Sequence, residues 1–113
     1  MKFVKFLAAL IVLFTANDTI HAQTRAETIK VSGNCGSCKK HIEKAAKQAG
    51  ATIAEWNQDT KVLKVSYDEK KTSNDNIQKK IASVGYDTEK YTGDDKAYNA
   101  LDECCQYDRK NKK

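Results

Sequence analysis

Two cysteines stand three positions apart in Gly33-Asn34-Cys35-Gly36-Ser37-Cys38, where the chain passes into a segment of helical periodicity. Two residues between cysteines let both sulfurs face one point across a single turn. The start of a helix lowers the cost of holding them as thiolates, because its unpaired amides and dipole favour negative charge. Thiolates are soft ligands and select soft ions such as Cu(I). Two sulfurs suffice for a d10 ion that tolerates two-coordination, whereas a structural zinc site wants four closed ligands. An ion held so sparsely stays open to attack by another protein's thiolate, so it can be handed on without ever being free. That is transfer chemistry, and the protein is not expected to be an enzyme. A Cys-His pair would need His41, which follows Cys38 by three positions and has no third member to orient it.

The elements around the motif follow from periodicity. Thr28-Ile29-Lys30-Val31 alternates apolar and polar as a half-buried strand does. From Ser37 the period changes: Cys38, Ile42, Ala45, Ala46 and Ala49 recur at helical spacing, with Lys40, Glu43, Lys44 and Lys47 on the other side. Gly50 ends this helix where a left-handed residue is useful. Thr52 to Trp56 reads as a second strand and Val62 to Tyr67 as a third, joined by the turn residues Asn57-Gln58-Asp59-Thr60. Ser73 or Asn74 can cap a second helix with the stripe Ile77, Ile81 and Val84; Gly85 closes it before a last strand from Tyr86 to Tyr91.

Strand, helix, strand, strand, helix, strand is the order of an α+β, ferredoxin-like βαββαβ sandwich, with both helices on one face of an antiparallel sheet. The whole chain has 113 residues, 20 basic and 15 acidic, with four cysteines and no proline, which excludes a large multi-domain enzyme. The roughly 65 residues that would carry the sandwich bury only about 60% of their surface, which leaves no room for a deep substrate cavity.

Residues 1–22 read as a separate export signal: Lys2 and Lys5 precede a nine-residue apolar run from Phe6 to Phe14, too short to span a bilayer. Ala22 is the preferred cleavage position and Ala16 the fallback; no cysteine follows closely enough to be acylated. Cutting after Ala22 leaves 91 residues with 18 basic and 14 acidic side chains, a net +4. The protein is therefore expected to be exported, periplasmic or secreted, with no stable membrane insertion after cleavage. An oxidising compartment makes a disulfide the default for an even number of cysteines, and the close pairs Cys35/Cys38 and Cys104/Cys105 would each close too short a loop to stabilise much.

The motif and its place in the element order resemble the heavy-metal-associated domain family, the small metallochaperones and the metal-binding modules of metal-pumping ATPases. The resemblance covers residues 27–91 within a domain of 23–91. It implies reversible binding of Cu(I), or of Zn(II) or Hg(II), by Cys35 and Cys38, and exchange with a metal-transporting or metal-receiving partner. Tyr86, after Gly85, matches the position where bacterial copper-handling members place a tyrosine beside the metal loop; an ordinary strand-start aromatic is the plain alternative. The family usually has Gly-Met three and two positions before its first cysteine, where this chain has Ser32 and Gly33, so zinc or a broader soft-metal role stays open.

Two other readings compete. Cys35-Gly36-Ser37-Cys38-Lys39 also looks like the motif of thioredoxin-like thiol-disulfide oxidoreductases. That fold sets a cis proline by its cysteines, and places strand and helix ahead of them; this chain has no proline and an early motif. The third reading is a small interaction domain whose cysteines are structural.

The tail, residues 92–113, lies outside the resemblance. Asp94 or Asp95 can cap a helix with Tyr98, Leu101 and Cys105 on one face, which predicts a docked tail. Adjacent cysteines on a helix diverge by about 100°, so Cys104 and Cys105 are read as buried residues, a disulfide, or extra thiolates reaching toward Cys35 and Cys38. In the last case a four-sulfur zinc site or a second Cu(I) becomes possible. Lys40, Lys44 and Lys47 read as a solvated stripe, with docking to an acidic partner as the alternative. Lys39 is close enough in sequence to temper the charge of a metal bis-thiolate. His41 reads as a surface residue, Trp56 as sheet packing, and Arg109 to Lys113 as a frayed end, with no nucleic-acid partner expected.

Overall fold

The computed structural model describes residues 24–109; the segment read as an export signal and residues 110–113 lie outside the described residues. Strand β1 is Thr24–Lys30, helix α1 Gly36–Gln48, β2 Ala51–Trp56, β3 Val62–Asp68, α2 Asn74–Ser83 and α3 Asp95–Asn99, followed by a 3₁₀ turn at Glu103–Cys105. The sheet is antiparallel in the order β1-β3-β2. Its register sets Leu63 between Ile29 on one side and Trp56 on the other.

Alternation along β3 turns Leu63, Val65 and Tyr67 to one face, where they are buried, and leaves Lys64 in solvent. A bulge between Ala51 and Ile53 resets β2, so that Ala51, Ala54 and Trp56 join that buried face and Ile53 is 59% exposed. Helix α1 covers the face with Cys38, Ile42, Ala45 and Ala46, and α2 with Ile77, Gln78, Ile81 and Ala82. Each large aliphatic side chain buried in this layer contributes about 1.5–3 kcal/mol relative to exposure. Both helices stop at a left-handed glycine, Gly50 at φ 112° and Gly85 at φ 105°, and Ser73 caps α2 by accepting from the Asn76 amide.

The architecture is the expected α+β, ferredoxin-like one, with a correction at its last strand. Residues 86–91 form no ladder: the contact with β1's end is a single bridge between Val31 and Thr88, supported by a hydrogen bond from the Ser32 amide to the Asp87 carbonyl. Side chains have taken over the ladder's work. The Lys30 amide donates to the Glu89 carboxylate at 2.7 Å, and Thr88 and Tyr91 close a local turn on each other through the Thr88 amide and hydroxyl. The chain bends away where a strand would have continued.

The tail is docked, as predicted, by a shorter helix than predicted. Asp94 caps α3 by accepting from the Ala97 amide at 2.9 Å, but the helix ends at Asn99 and the chain re-enters the domain through the 3₁₀ turn. Cys105 therefore does not share a helical face with Tyr98 and Leu101. Arg109 corrects the expectation of a frayed end: its side chain is only 6% exposed, paired with Asp95 at 2.8 Å and Asp87 at 3.5 Å.

Candidate metal centre

Cys35 is the residue that enters α1, with extended backbone angles, and Cys38 lies one turn further on the buried side of the helix. Their sulfurs are 3.8 Å apart. The Asn34 amide points at the Cys38 sulfur at 3.3 Å. The Cys38 backbone amide, and then that of Ser37, bring the Cys35 thiol down to about 7 against the opposing effect of burial. Cys35 is thus the readily ionised member of the group.

The loop bearing Cys35 is held from across the sheet. Lys61 donates to the Gly33 carbonyl at 2.7 Å, and Gln58 to the Asn34 carbonyl at 3.0 Å. Lys61 occupies a left-handed conformation at φ 63° and lies over the Trp56 ring at 5.4 Å. The Trp56 indole donates to the Val31 carbonyl at 2.9 Å and is buried. A Cβ on Gly33 would meet the Trp56 ring at 2.9 Å. The indole therefore fills the space that a side chain such as methionine would need at position 33, which accounts for the glycine there.

The third sulfur comes from the tail. Cys105 is fully buried, with its sulfur 4.0 Å from that of Cys35, and the sulfurs of Cys35, Cys38 and Cys105 all lie within 4.8 Å of one another. Cys104 is exposed; its sulfur is 3.9 Å from Cys105, outside that mutual group, and its carbonyl accepts a bond from the Cys35 thiol at 3.3 Å. Four sulfurs therefore do not converge on one point. All four cysteines are free thiols in this structure. Burial pushes the Cys105 thiol well above its ordinary value.

Tyr86 is buried, and its hydroxyl bonds His41 Nδ1 at 2.8 Å. Its pKa is raised, first by burial and then by the neighbouring Cys38 charge, so it remains a hydrogen-bond donor. Lys39 pairs with Glu43, whose carboxylate also accepts from the Trp56 amide at 2.9 Å. A cleft of about 580 Å³ beside β1 contains none of the cysteines.

A clasp of aromatic rings keeps the tail in place. Tyr107 stacks on Tyr86 with ring centroids 5.8 Å apart and meets Tyr98 edge-on at 5.1 Å. Its hydroxyl donates to the Gly85 carbonyl and accepts from the Asp87 amide, both at 2.8 Å. Arg109 lies 4.6 Å over the Tyr98 ring and donates to the Gly93 carbonyl at 2.5 Å. Gly93 packs so closely on Gly85 that an added Cβ would sit 2.7 Å from the Gly85 carbonyl.

Sequence reasoning missed Trp56 as a support of the loop, together with Gln58, Lys61, Tyr107 and Arg109. The single tryptophan of a small domain, immediately before a turn, was the available signal for the first. Lys61 and Arg109 looked like any other surface cation.

Fold and site together define a small α+β domain with a thiol cluster at the mouth of its first helix. No family model matches the chain, and no curated protein matches it significantly. Solved structures do. The CopZ metallochaperone is 32% identical with a TM-score of 0.54, over 57% of this chain and 98% of that one. Oxidised MerP from Ralstonia metallidurans CH34 is 28% identical at 0.54, over 57% and 93%. A copper form of a CopA variant from Bacillus subtilis is 35% identical at 0.50, over 58% and 90%. The chain belongs to the heavy-metal-associated domain family.

Proposed function

We propose that this protein is an exported carrier of a soft metal ion, Cu(I) foremost, bound by Cys35 and Cys38 and passed to a metal-transporting or metal-receiving partner. The observation that carries this reading is the pair of sulfurs 3.8 Å apart where α1 begins, one of them on a thiol brought down to about 7. Similarity to a metallochaperone and to MerP supports it. In the transfer step a partner thiolate bonds to the ion as the bond to a carrier sulfur breaks. The displaced sulfur leaves as a thiolate or takes a proton from solvent, and no electron changes hands. Zn(II) suits the site less well, because structural zinc wants four closed ligands and only three sulfurs lie together among the described residues. Hg(II) shares the preference for thiolate.

The test is retention of metal by the reduced mature protein after gel filtration, with Cu(I) and Zn(II) competing in the presence of a defined small thiol. One equivalent of copper is expected on the unaltered protein and none on Cys35→Ala/Cys38→Ala. A full load on the double variant, or no load on the unaltered protein, overturns the reading. Thiol-disulfide exchange would also use a Cys35 thiolate, and turnover of a disulfide substrate without metal would favour it. Export is tested by the mass of the protein recovered from the cell envelope or medium, which should begin at Gln23.

A further inference from the structure

We infer that the C-terminal segment supplies the third sulfur of the metal site, Cys105, so that the ion is held by three thiolates in a trigonal arrangement rather than by the Cys35/Cys38 pair alone. The inference rests on the reading of Cys35 and Cys38 as ligands and adds to it a ligand 67 positions beyond Cys38.

Distances between the sulfurs carry the argument. With a metal–sulfur bond of about 2.3 Å, two sulfurs on opposite sides of an ion are about 4.6 Å apart, and three in a plane around it about 4.0 Å. The observed separations are 3.8 Å for Cys35–Cys38 and 4.0 Å for Cys35–Cys105, and the third edge is within 4.8 Å. The pair is too close for a linear ion and suits an equilateral triangle. The free sulfurs already stand near the corners that a trigonal ion needs, and small adjustments close the third edge.

A second observation is independent of the sulfurs. The tail is fixed on both sides of Cys105. Before it, Tyr98 donates its hydroxyl to the Tyr107 carbonyl at 2.6 Å and meets the Tyr107 ring edge-on; after it, Tyr107 is buried with its hydroxyl bonded to Gly85 and Asp87. Arg109 then ties the end to Asp87, Asp95 and the Gly93 carbonyl. Ordering a backbone costs about 1–2 kcal/mol per residue, and this clasp is what opposes that cost in a segment whose buried side chains include Cys105 and Tyr107. The exposed Cys104 stays outside the triangle. The cargo this geometry takes is a d10 ion content with three sulfurs, Cu(I) or Hg(II).

The test is X-ray absorption on the full mature protein loaded with one equivalent of Cu(I) under reducing conditions, beside Cys105→Ser and Cys104→Ser. Three sulfurs around copper are expected in the unaltered protein and in Cys104→Ser, and two in Cys105→Ser. Losing even an outer partner of a ligand costs about 10–100-fold in metal affinity, so Cys105→Ser should bind Cu(I) at least about tenfold more weakly. Two sulfurs in the unaltered protein overturn the inference without recourse to any variant, as does a Cys105→Ser protein with unchanged coordination and affinity. Either result leaves the two-cysteine carrier standing. Absence of copper from the unaltered protein removes the carrier reading as well.

Discussion

The loop before α1 and the segment after α3 bring sulfur to the same point by opposite means. Cys35 and Cys38 are placed by one turn of one helix, so their spacing is nearly a property of the local chain. Cys105 is placed by contacts between residues 20 or more positions apart, chiefly Tyr107 with Gly85 and Asp87. A local pair can exist in a partly folded chain, whereas the tail's sulfur arrives only when the whole domain is assembled. The difference also shows in proton affinity: amides of the helix start bring Cys35 down to about 7, and burial drives Cys105 upward.

The severest way to break this contrast is Trp56→Ala, which strips the support from the loop that looks most local. Removing the ring should cost about 3–5 kcal/mol of stability in denaturant unfolding. It should also open Cys38 to alkylation in the folded state; if Cys38 stays protected, the loop is as self-sufficient as its sequence suggests.

A milder blow falls on the tail. Tyr107→Phe keeps the ring stack and removes the hydroxyl between Asp87 and Gly85, for an expected loss of about 1–3 kcal/mol. Alkylation of Cys105, followed by mass spectrometry, should quicken while that of Cys35 does not change. Equal effects on both cysteines would mean that loop and tail are one cooperative unit.

Gly33→Ala sharpens the comparison from the loop side. A methyl group there meets the Trp56 ring at 2.9 Å, and overpacking of this kind costs about 1–3 kcal/mol. Thermal unfolding of the single variant, and of Gly33→Ala combined with Trp56→Phe, should show partial recovery in the pair.

The gentlest experiment changes only pH. In the metal-free reduced protein, alkylation of Cys35 should rise through a midpoint of about 7 and level off above it. Because its folded pKa is depressed, the Cys35 contribution to folding is present above the ordinary thiol range and fades as pH falls through about 7. Cys105 should remain unlabelled across the same range. A Cys35 midpoint at the ordinary thiol value would remove the role assigned to the helix amides.

Much of the frame was legible because it is periodic. The stripes of α1 and α2, the alternation of β3, the Ser73 cap and the glycine stops at 50 and 85 each follow from a local rule. The last strand was misread because Glu89 supplies by side chain the acceptor that a strand would have supplied by backbone. Nothing in a linear reading distinguishes that glutamate. The meeting of Cys105 with Cys35 was readable only as one option among three, because it depends on the tail breaking its helix after Asn99 and turning back. Arg109 was hidden inside a run of like charges, and Gly33 can be understood only beside Trp56.

The indole against Gly33 couples two things that a longer side chain on the loop would have kept apart. The stiffness of the sulfur-bearing loop is borrowed from the hairpin of β2 and β3, through Trp56, Gln58 and Lys61. A displacement of the hairpin tip at Asn57 to Lys61 would therefore be felt directly by the backbone that carries Cys35, without passing through the rest of the core.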